Sequence, residues 1–328
     1  MLCHLASLTL NLATQSPAPQ DVAQSSVPQD ISALSSIGLY SDSDAVFSLL
    51  RHSGHTVGSS LSVAELSKFD NMNYFGASAS VAMLKEIRQK GLAPVEKIVD
   101  VGAGHGGTAR VMAKELGGAC AITALELQSE VSRVAQVLTE MAVLSGDLPP
   151  SAVSHCTGDA ATGYGVPPLL SSAGCADAVV SRLCVLHIPL AARAGLFSRC
   201  RSWMRAGGVL AIEDYARKDG GVSEEGRLLL AEGVSVPEGE LPTVGEWKET
   251  LAACGFKDVV VEDMTERWAA FVGERCAAAN QDGAKFDDIV GPGRRKFYNS
   301  VDRLFNCKEK QGMEDTGLLG VRIYAVAE

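Results

Sequence analysis

The sequence predicts an α/β fold: a doubly wound, mostly parallel sheet with helices on both faces, entered through a helical cap. Three observations predict it. From Lys97 onward, short apolar and β-branched runs alternate with segments of helical character, the pattern of a parallel sheet covered on both sides. The first run, Lys97-Ile98-Val99-Asp100-Val101, leads directly into a glycine-rich turn. Before that run the pattern is helical only.

Residues 1–13, MLCHLASLTLNLA, have the apolar character of a leader, but the first Lys or Arg of the chain is Arg51. A secretory leader, with its basic start, and an Arg-rich organellar one are both disfavoured, and the protein is expected to be cytoplasmic, with organellar targeting the alternative. Residues 14–30, TQSPAPQDVAQSSVPQD, carry too little apolar surface to offset chain entropy, so residues 1–30 are expected to be a disordered tail. Folding is expected to begin near Ile31, with residues 31–90 forming the cap. Asp42 and Asp44 precede the helical run Ala45-Val46-Phe47-Ser48-Leu49-Leu50, a second helix runs through Val63-Ala64-Glu65-Leu66, and a third through 80–87. Residues 91–328 then supply the sheet. Strands are expected at 97–101, 121–126, 153–156, 176–181, 208–213, 259–262 and 321–326. Helices are expected at 108–116, 130–141, 190–204 and 243–253.

Composition bounds the function. The 328 residues allow one large domain or two ordinary ones at roughly 100–200 residues each. With 46 % hydrophobic and 21 % charged residues the chain is globular, and no apolar run is long enough for a transmembrane helix. The net charge of −10 opposes nucleic acid and anionic lipid, whose binding needs clustered cations; the longest basic run is Arg294-Arg295-Lys296. Nine cysteines with no Cys-x-x-Cys spacing argue against both a disulfide framework and a zinc site, so no metal is expected.

The glycine turn carries the first chemistry. Gly102, Gly104 and Gly107 form G-x-G-x-x-G between a strand and a helix, where backbone N–H groups can approach a ligand closely. The second strand ends in Glu126, at 126 − 107 = 19 residues beyond the last glycine, placed to accept hydrogen bonds from ribose hydroxyls. Together they predict an adenosine-type cofactor. Asp100 lies two residues before Gly102, where it would crowd a pyrophosphate but suit an ammonium and a sulfonium. That selects S-adenosyl-L-methionine over a nicotinamide dinucleotide. Asp159, after the third strand, either receives the adenine amino group or caps a helix. Leu127, Gln128, Ala160 and Ser181 border these acids and are assigned to the same site. The three acids end strands one, two and three, along the edge where α/β sheets bind ligands.

With these residues in view, the chain resembles the class I S-adenosylmethionine-dependent methyltransferases. More narrowly it resembles small-molecule N-methyltransferases of the sarcosine/dimethylglycine and phosphoethanolamine type. The segments that carry the resemblance are IVDVGAGHGGTARVMAKELG, ITALELQ, GDA, DAVVSRLCVLHIP, GGVLAIEDYARKDG and EDMTERWAAFVGER, covering roughly residues 69–275. FDNMNYFG at 69–76 is similar to a segment written D-Q-x-H-Y-x-G in relatives, with Asn71 in place of Gln and Asn73 in place of His. The resemblance implies a seven-stranded Rossmann-like sheet whose last strand, GLLGVRIYAV at 317–326, is antiparallel. It also implies a helical insertion at 266–316 near the substrate.

The resemblance further implies that His187, which closes Ser181-Arg182-Leu183-Cys184-Val185-Leu186-His187, lies at the methyl acceptor. An amine is protonated at neutral pH and attacks only after losing a proton, which an imidazole can accept; packing or helix capping is the alternative for this residue. His105 and His155 are expected to have no chemical role. Arg182 is assigned to the substrate. Of Glu213 and Asp214, one should face the cleft and the other away, because strand residues alternate. Asp214 with Tyr215 would suit a cationic acceptor, Trp268 would cap the pocket and Tyr74 would close over the cofactor. The expected activity is methyl transfer to a small amine; sulfur or oxygen methylation on the same scaffold and a non-catalytic binding protein are the alternatives. The sequence leaves the oligomeric state open.

Overall fold

A computed structural model describes residues 45–70, 74–91, 94–118, 120–311 and 315–328. The tail at 1–30, the expected start at Ile31, Asp42, Asp44, Asn71 and Asn73 lie outside the described residues. The chain runs α1 (Ala45–His52), α2 (Val63–Asp70), α3 (Gly76–Lys90), β1 (Lys97–Val101), α4 (Gly107–Glu115), β2 (Ala121–Glu126), α5 (Ser129–Leu144) and β3 (Val153–Thr157). It continues through β4 (Ala176–Arg182), α6 (Leu190–Trp203), β5 (Met204–Arg217), α7 (Glu224–Leu229), α8 (Val244–Ala253) and β6 (Phe256–Asp263). The chain ends with α9 (Thr265–Gln281), α10 (Gly283–Val290), α11 (Pro292–Gln311) and β7 (Leu318–Ala327).

The seven strands form one sheet in the order β3-β2-β1-β4-β5-β7-β6. All neighbouring pairs are parallel except those of β7, which runs antiparallel to β5 and β6. The period-two alternation of the strands separates two apolar layers. Ile98, Ile122, Ala124, Ala178, Val180, Val209 and Ala211 pack with the cap helices, α4 and α5 on one face. Val99, Val101, Leu125, Val179, Leu210, Ile212 and Ile323 pack with Phe197, Trp203 and Trp247 on the other. A third apolar cluster sits beyond the carboxyl end of β5, where Tyr74, Leu186, Tyr215, Trp268, Val301 and Leu304 meet.

Two features differ from the sequence reading. Strand β5 extends from Met204, paired with Ala176 of β4, to Arg217, where β7 pairs with it as far as Arg217↔Leu318. The segment between β5 and α8, which has no strong apolar period, folds into α7 and a π-helical turn at Leu230–Val234 that ends in Ser235 with φ 63°. Helix α8 starts at a full capping box, in which Thr243 and Glu246 each bond the other's backbone N–H. Among the described residues no helix is long and apolar enough to cross a membrane.

Candidate active site

The switch between the two halves of the sheet falls between β1 and β4, and the candidate residues collect at the carboxyl ends of these strands. The glycine turn is fixed to β2: the Gly102 and Ala103 N–H groups both donate to the Leu125 carbonyl, at 2.9 and 3.1 Å. Gly102 has φ 68°, and a Cβ on it would lie 2.2 Å from the Cys184 sulfur. Any side chain there collides with the segment leading to His187. Gly106 has φ 76°, and a Cβ would lie 2.7 Å from the His155 ring. Gly107 opens α4.

Glu126 accepts from the Gly104 N–H at 2.9 Å and the Gln128 N–H at 3.0 Å, so the carboxylate ending β2 is tied directly to the glycine turn. The Leu127 N–H adds a third bond, and burial pushes the carboxyl pKa up against these donors. Asp100 is 2 % exposed, and its Oδ2 has no hydrogen-bond partner among the described residues. Burial pushes its pKa up to about 7, against the pull of the nearby Arg182 guanidinium. Ser181, next to it on β4, donates to the Val101 carbonyl at 3.0 Å.

Asp159 uses both oxygens locally. One accepts the Ala161 N–H at 2.8 Å and the other the Thr162 hydroxyl at 2.7 Å, so both oxygens close a local turn rather than cap a helix. Ala160 beside it is buried.

Arg182 crosses the site as a brace. Its Nε donates to Glu213 at 2.8 Å, Nη1 to the Gly76 carbonyl, Ser80 and Thr108, and Nη2 to the Tyr74 carbonyl at 2.7 Å. Glu213 also receives Arg322 through Nε at 2.9 Å. Expected against the substrate, Arg182 instead ties the cap to β5 and to the first turn of α4. Every guanidinium nitrogen is directed at a protein acceptor. The two acids of β5 do face opposite ways, as strand alternation requires, but neither is solvated. Asp214, also expected against the substrate, accepts the Leu186 N–H at 3.2 Å and its neighbour Tyr215's N–H at 2.7 Å. Burial pushes its pKa up to about 6.

Tyr74, Tyr215 and Trp268 come together. The Tyr74 and Tyr215 hydroxyls are 2.5 Å apart, and the Tyr74 ring stacks on Trp268 at 4.2 Å and 10°. Trp268 is fully buried over Gly320, where a Cβ would lie 2.4 Å from its ring, and its Nε1 has no partner among the described residues. His187 ends a single 3-10 turn at Val185–His187, its Nδ1 3.1 Å from the Ser235 carbonyl. A carbonyl only accepts, so Nδ1 carries the proton and Nε2 holds the lone pair. Burial, with the Arg193 charge adding to it, lowers the imidazole pKa, and the ring is neutral near pH 7. His105 is buried in the glycine turn, its pKa lowered by burial to about 4. His155 meets Thr139.

One buried ion pair at the glycine turn has no local signature in the sequence. Arg110, in α4, donates to Asp70 at 2.5 Å and to the His105 carbonyl, with both side chains 1 % exposed. Asp70 is the acid of the FDNMNYFG segment, so the signal was present but its partner, 110 − 70 = 40 residues away, was not.

Residues 99–212 match the methyltransferase domain family. The chain carries a class I S-adenosylmethionine-dependent methyltransferase domain. A phosphoethanolamine N-methyltransferase of Plasmodium falciparum is 34 % identical over 92 residues, which cover 28 % of this chain and 34 % of that protein. Phosphoethanolamine N-methyltransferase 1 of Arabidopsis thaliana is 24 % identical over 249 residues, 73 % of this chain and 46 % of that protein. The methyltransferase-domain chain thus spans less than half the length of these curated relatives. Among solved structures, phosphoethanolamine N-methyltransferase 2 of Haemonchus contortus, bound to phosphomonomethylethanolamine and S-adenosylhomocysteine, superposes with TM-score 0.66 at 21 % identity. That match covers 92 % of this chain and 60 % of the other. A Galdieria sulphuraria structure assigned to sarcosine dimethylglycine methyltransferases gives 0.62 at 15 %, covering 87 % and 98 %.

The residues at the β1–β2 edge fit the cofactor of the methyltransferase domain. Asp100 Oδ2 is a buried acceptor with no partner among the described residues, suited to an ammonium, and Glu126 is a carboxylate at the end of β2, suited to hydroxyl donors. A measurable pH dependence follows. With Asp100 as the group that holds the ammonium, its carboxyl has to be ionised, and binding below about pH 7 is expected to expel a proton. Affinity for S-adenosylhomocysteine is expected to rise with pH, by up to about tenfold per unit, and to level off above about pH 7. Asp100→Asn is expected to remove the rise. Titration calorimetry in two buffers of different ionisation enthalpy checks it, and an equal slope in the variant excludes Asp100 as the source.

Proposed function

We propose that the protein transfers a methyl group from S-adenosylmethionine to the nitrogen of a small amine of the glycine-derivative or ethanolamine type. The carrying observation is the state of His187. Its Nδ1 donates to the Ser235 carbonyl, which leaves the basic nitrogen on the other side of the ring, and its surroundings keep it neutral. Bound at the glycine turn, S-adenosylmethionine supplies an electrophilic methyl group on a sulfonium.

Asp100, Glu126 and the turn from Gly102 to Gly107 bind and orient the cofactor in this reading, with Leu127, Gln128, Asp159, Ala160 and Ser181 along its rim. His187 accepts the proton that an ammonium acceptor must lose before its lone pair can attack. The packed cluster of Tyr74, Tyr215 and Trp268 excludes water beside the site. Alignment is the main contribution, worth roughly 7–11 kcal/mol in well-oriented reactions. The names of the curated relatives support an amine acceptor, and a neutral, half-buried base supports nitrogen over a thioether, which has no proton to give up.

Transfer of labelled methyl from S-adenosylmethionine to glycine derivatives, ethanolamine and its phosphate ester, thioether acids and phenols tests the reading. Label is expected in an amine, and label confined to a thioether or phenol rejects it.

A further inference from the structure

The segment Val185-Leu186-His187-Ile188-Pro189 is too short to fold by its own packing. It forms one 3-10 turn before Pro189 starts α6, and such a turn has poor internal hydrogen bonds. Its backbone is instead held from outside by two buried groups of opposite charge.

Asp214, from β5, takes the N–H side. Its Oδ2 accepts the Leu186 N–H at 3.2 Å, the Val185 N–H also bonds its carboxylate, and its Oδ1 accepts the Tyr215 N–H at 2.7 Å. Arg193, from the first turn of α6, takes the carbonyl side. Its Nε donates to Ile188 at 2.8 Å and its Nη2 to Leu186 at 3.4 Å. These carbonyls flank His187 in the chain. Arg193 is 4 % exposed and Asp214 fully buried.

Such an arrangement is expensive in stability. Buried charges lose hydration, and apolar side chains of similar volume serve packing as well or better. Arg193 Nη1 is buried and has no partner among the described residues, a further cost. What the two groups achieve is definition: a three-residue turn fixed at both its donors and its acceptors. The ring that ends it then meets the Ser235 carbonyl, itself held by a left-handed residue after the π-helical turn.

We propose that Arg193 and Asp214 are positioning residues for His187, fixing the Val185–His187 turn so that Nδ1 meets the Ser235 carbonyl and Nε2 is the nitrogen that works on the acceptor. The proposal rests on the reading of His187 as the base. The groups that face the turn are Arg193 from α6, Asp214 from β5, Cys184 at its foot and the Ser235 carbonyl opposite. Of these, Arg193 lowers the proton affinity of the imidazole and the Ser235 carbonyl raises it.

Nitrogen-15 histidine labelling of the full chain reads the tautomer and titration of His187 directly, with its signals assigned by their loss in His187→Ala. In the parent, the proton is expected on Nδ1, with titration below the ordinary value of about 6.5. In Arg193→Met, loss of the neighbouring charge is expected to raise that titration. The two tautomers should mix, and kcat should fall at least about tenfold with KM for S-adenosylmethionine within about threefold. Arg193→Lys keeps the charge but presents no fork to two carbonyls. It is expected to titrate near the parent while still mixing tautomers and losing kcat.

If the Met variant does not fold, the Lys variant decides alone: mixed tautomers support the proposal. A parent tautomer and parent kcat in a folded Arg193 variant overturn it. Full rate in His187→Ala together with mixed tautomers in the Arg193 variants rejects the base reading and leaves the positioning role standing. An inactive His187→Ala with unmoved His187 signals in those variants does the reverse.

Discussion

Replacing Arg110 by methionine is expected to lower folding stability by about 3–5 kcal/mol, because it strands a buried carboxylate. Asp70 and Arg110 are each 1 % exposed at the side chain, and burial already pushes the Asp70 pKa up against the pull of Arg110. Without its partner, Asp70 must either be protonated or carry an unpaired charge in an apolar setting. The guanidinium also bonds the His105 carbonyl, the Ala135 carbonyl at 3.1 Å and Thr139 at 3.0 Å, so the substitution frees acceptors in the glycine turn and in α5. Asp70→Asn in the same chain removes the stranded charge, and the double variant is expected to recover at least half of the loss. Urea denaturation of the parent, both single variants and the double variant gives the coupling energy. A loss below about 1 kcal/mol in Arg110→Met, the range of an exposed pair, contradicts the assignment of this pair as the strut between cap and glycine turn.

The same pair marks the boundary of what the sequence makes legible. Period-two apolar runs and the strand–glycine–helix junction are local, so the sheet, its helical layers and the glycine turn are readable from neighbouring residues. The positions of Asp100 and Glu126 follow from the same locality, since each sits at a strand end. Ion pairing is not local. Glu213 joins Arg182 and Arg322, partners 31 and 109 positions away, only because β5 lies between β4 and β7. A reading by position assigns Arg182 to the cleft; the sheet order gives it to Glu213 and to the cap carbonyls. Asp214 shows the same limit at shorter range. Alternation settles that it opposes Glu213, but its Leu186 N–H partner comes from a turn whose placement depends on α6. Asp159 is the opposite case, since its contacts with Ala161 and Thr162 lie within three residues of it.

His187→Ala is expected to lower kcat by about 10²-fold or more, within the 10²–10⁴ range of general-base assistance. The cofactor should be held nearly as before. Glu126 and the glycine turn are tied to β2, whereas His187 follows β4 and meets the Ser235 carbonyl. Affinity for S-adenosylhomocysteine is therefore expected to stay within about threefold of the parent, well under the 1.4 kcal/mol of a tenfold change. The pH dependence carries the sign of the role. A protonated imidazole cannot accept a proton, so the parent rate must fall as pH drops through the His187 pKa. Burial and Arg193 hold that pKa below the ordinary histidine value, so the falling limb should lie on the acid side of about 6.5, with a plateau above it. In His187→Ala this limb should vanish while any dependence set by Asp100 at about 7 remains, because the two groups titrate independently of one another's removal. Single-turnover rates at saturating cofactor separate the two, since saturation suppresses the Asp100 effect on binding and leaves only the step in which the acceptor loses its proton. A variant that keeps the parent's rate and its acid limb locates the base elsewhere. A variant that keeps the rate and has no limb in either protein points to an acceptor with no proton to lose, and so to sulfur in place of nitrogen.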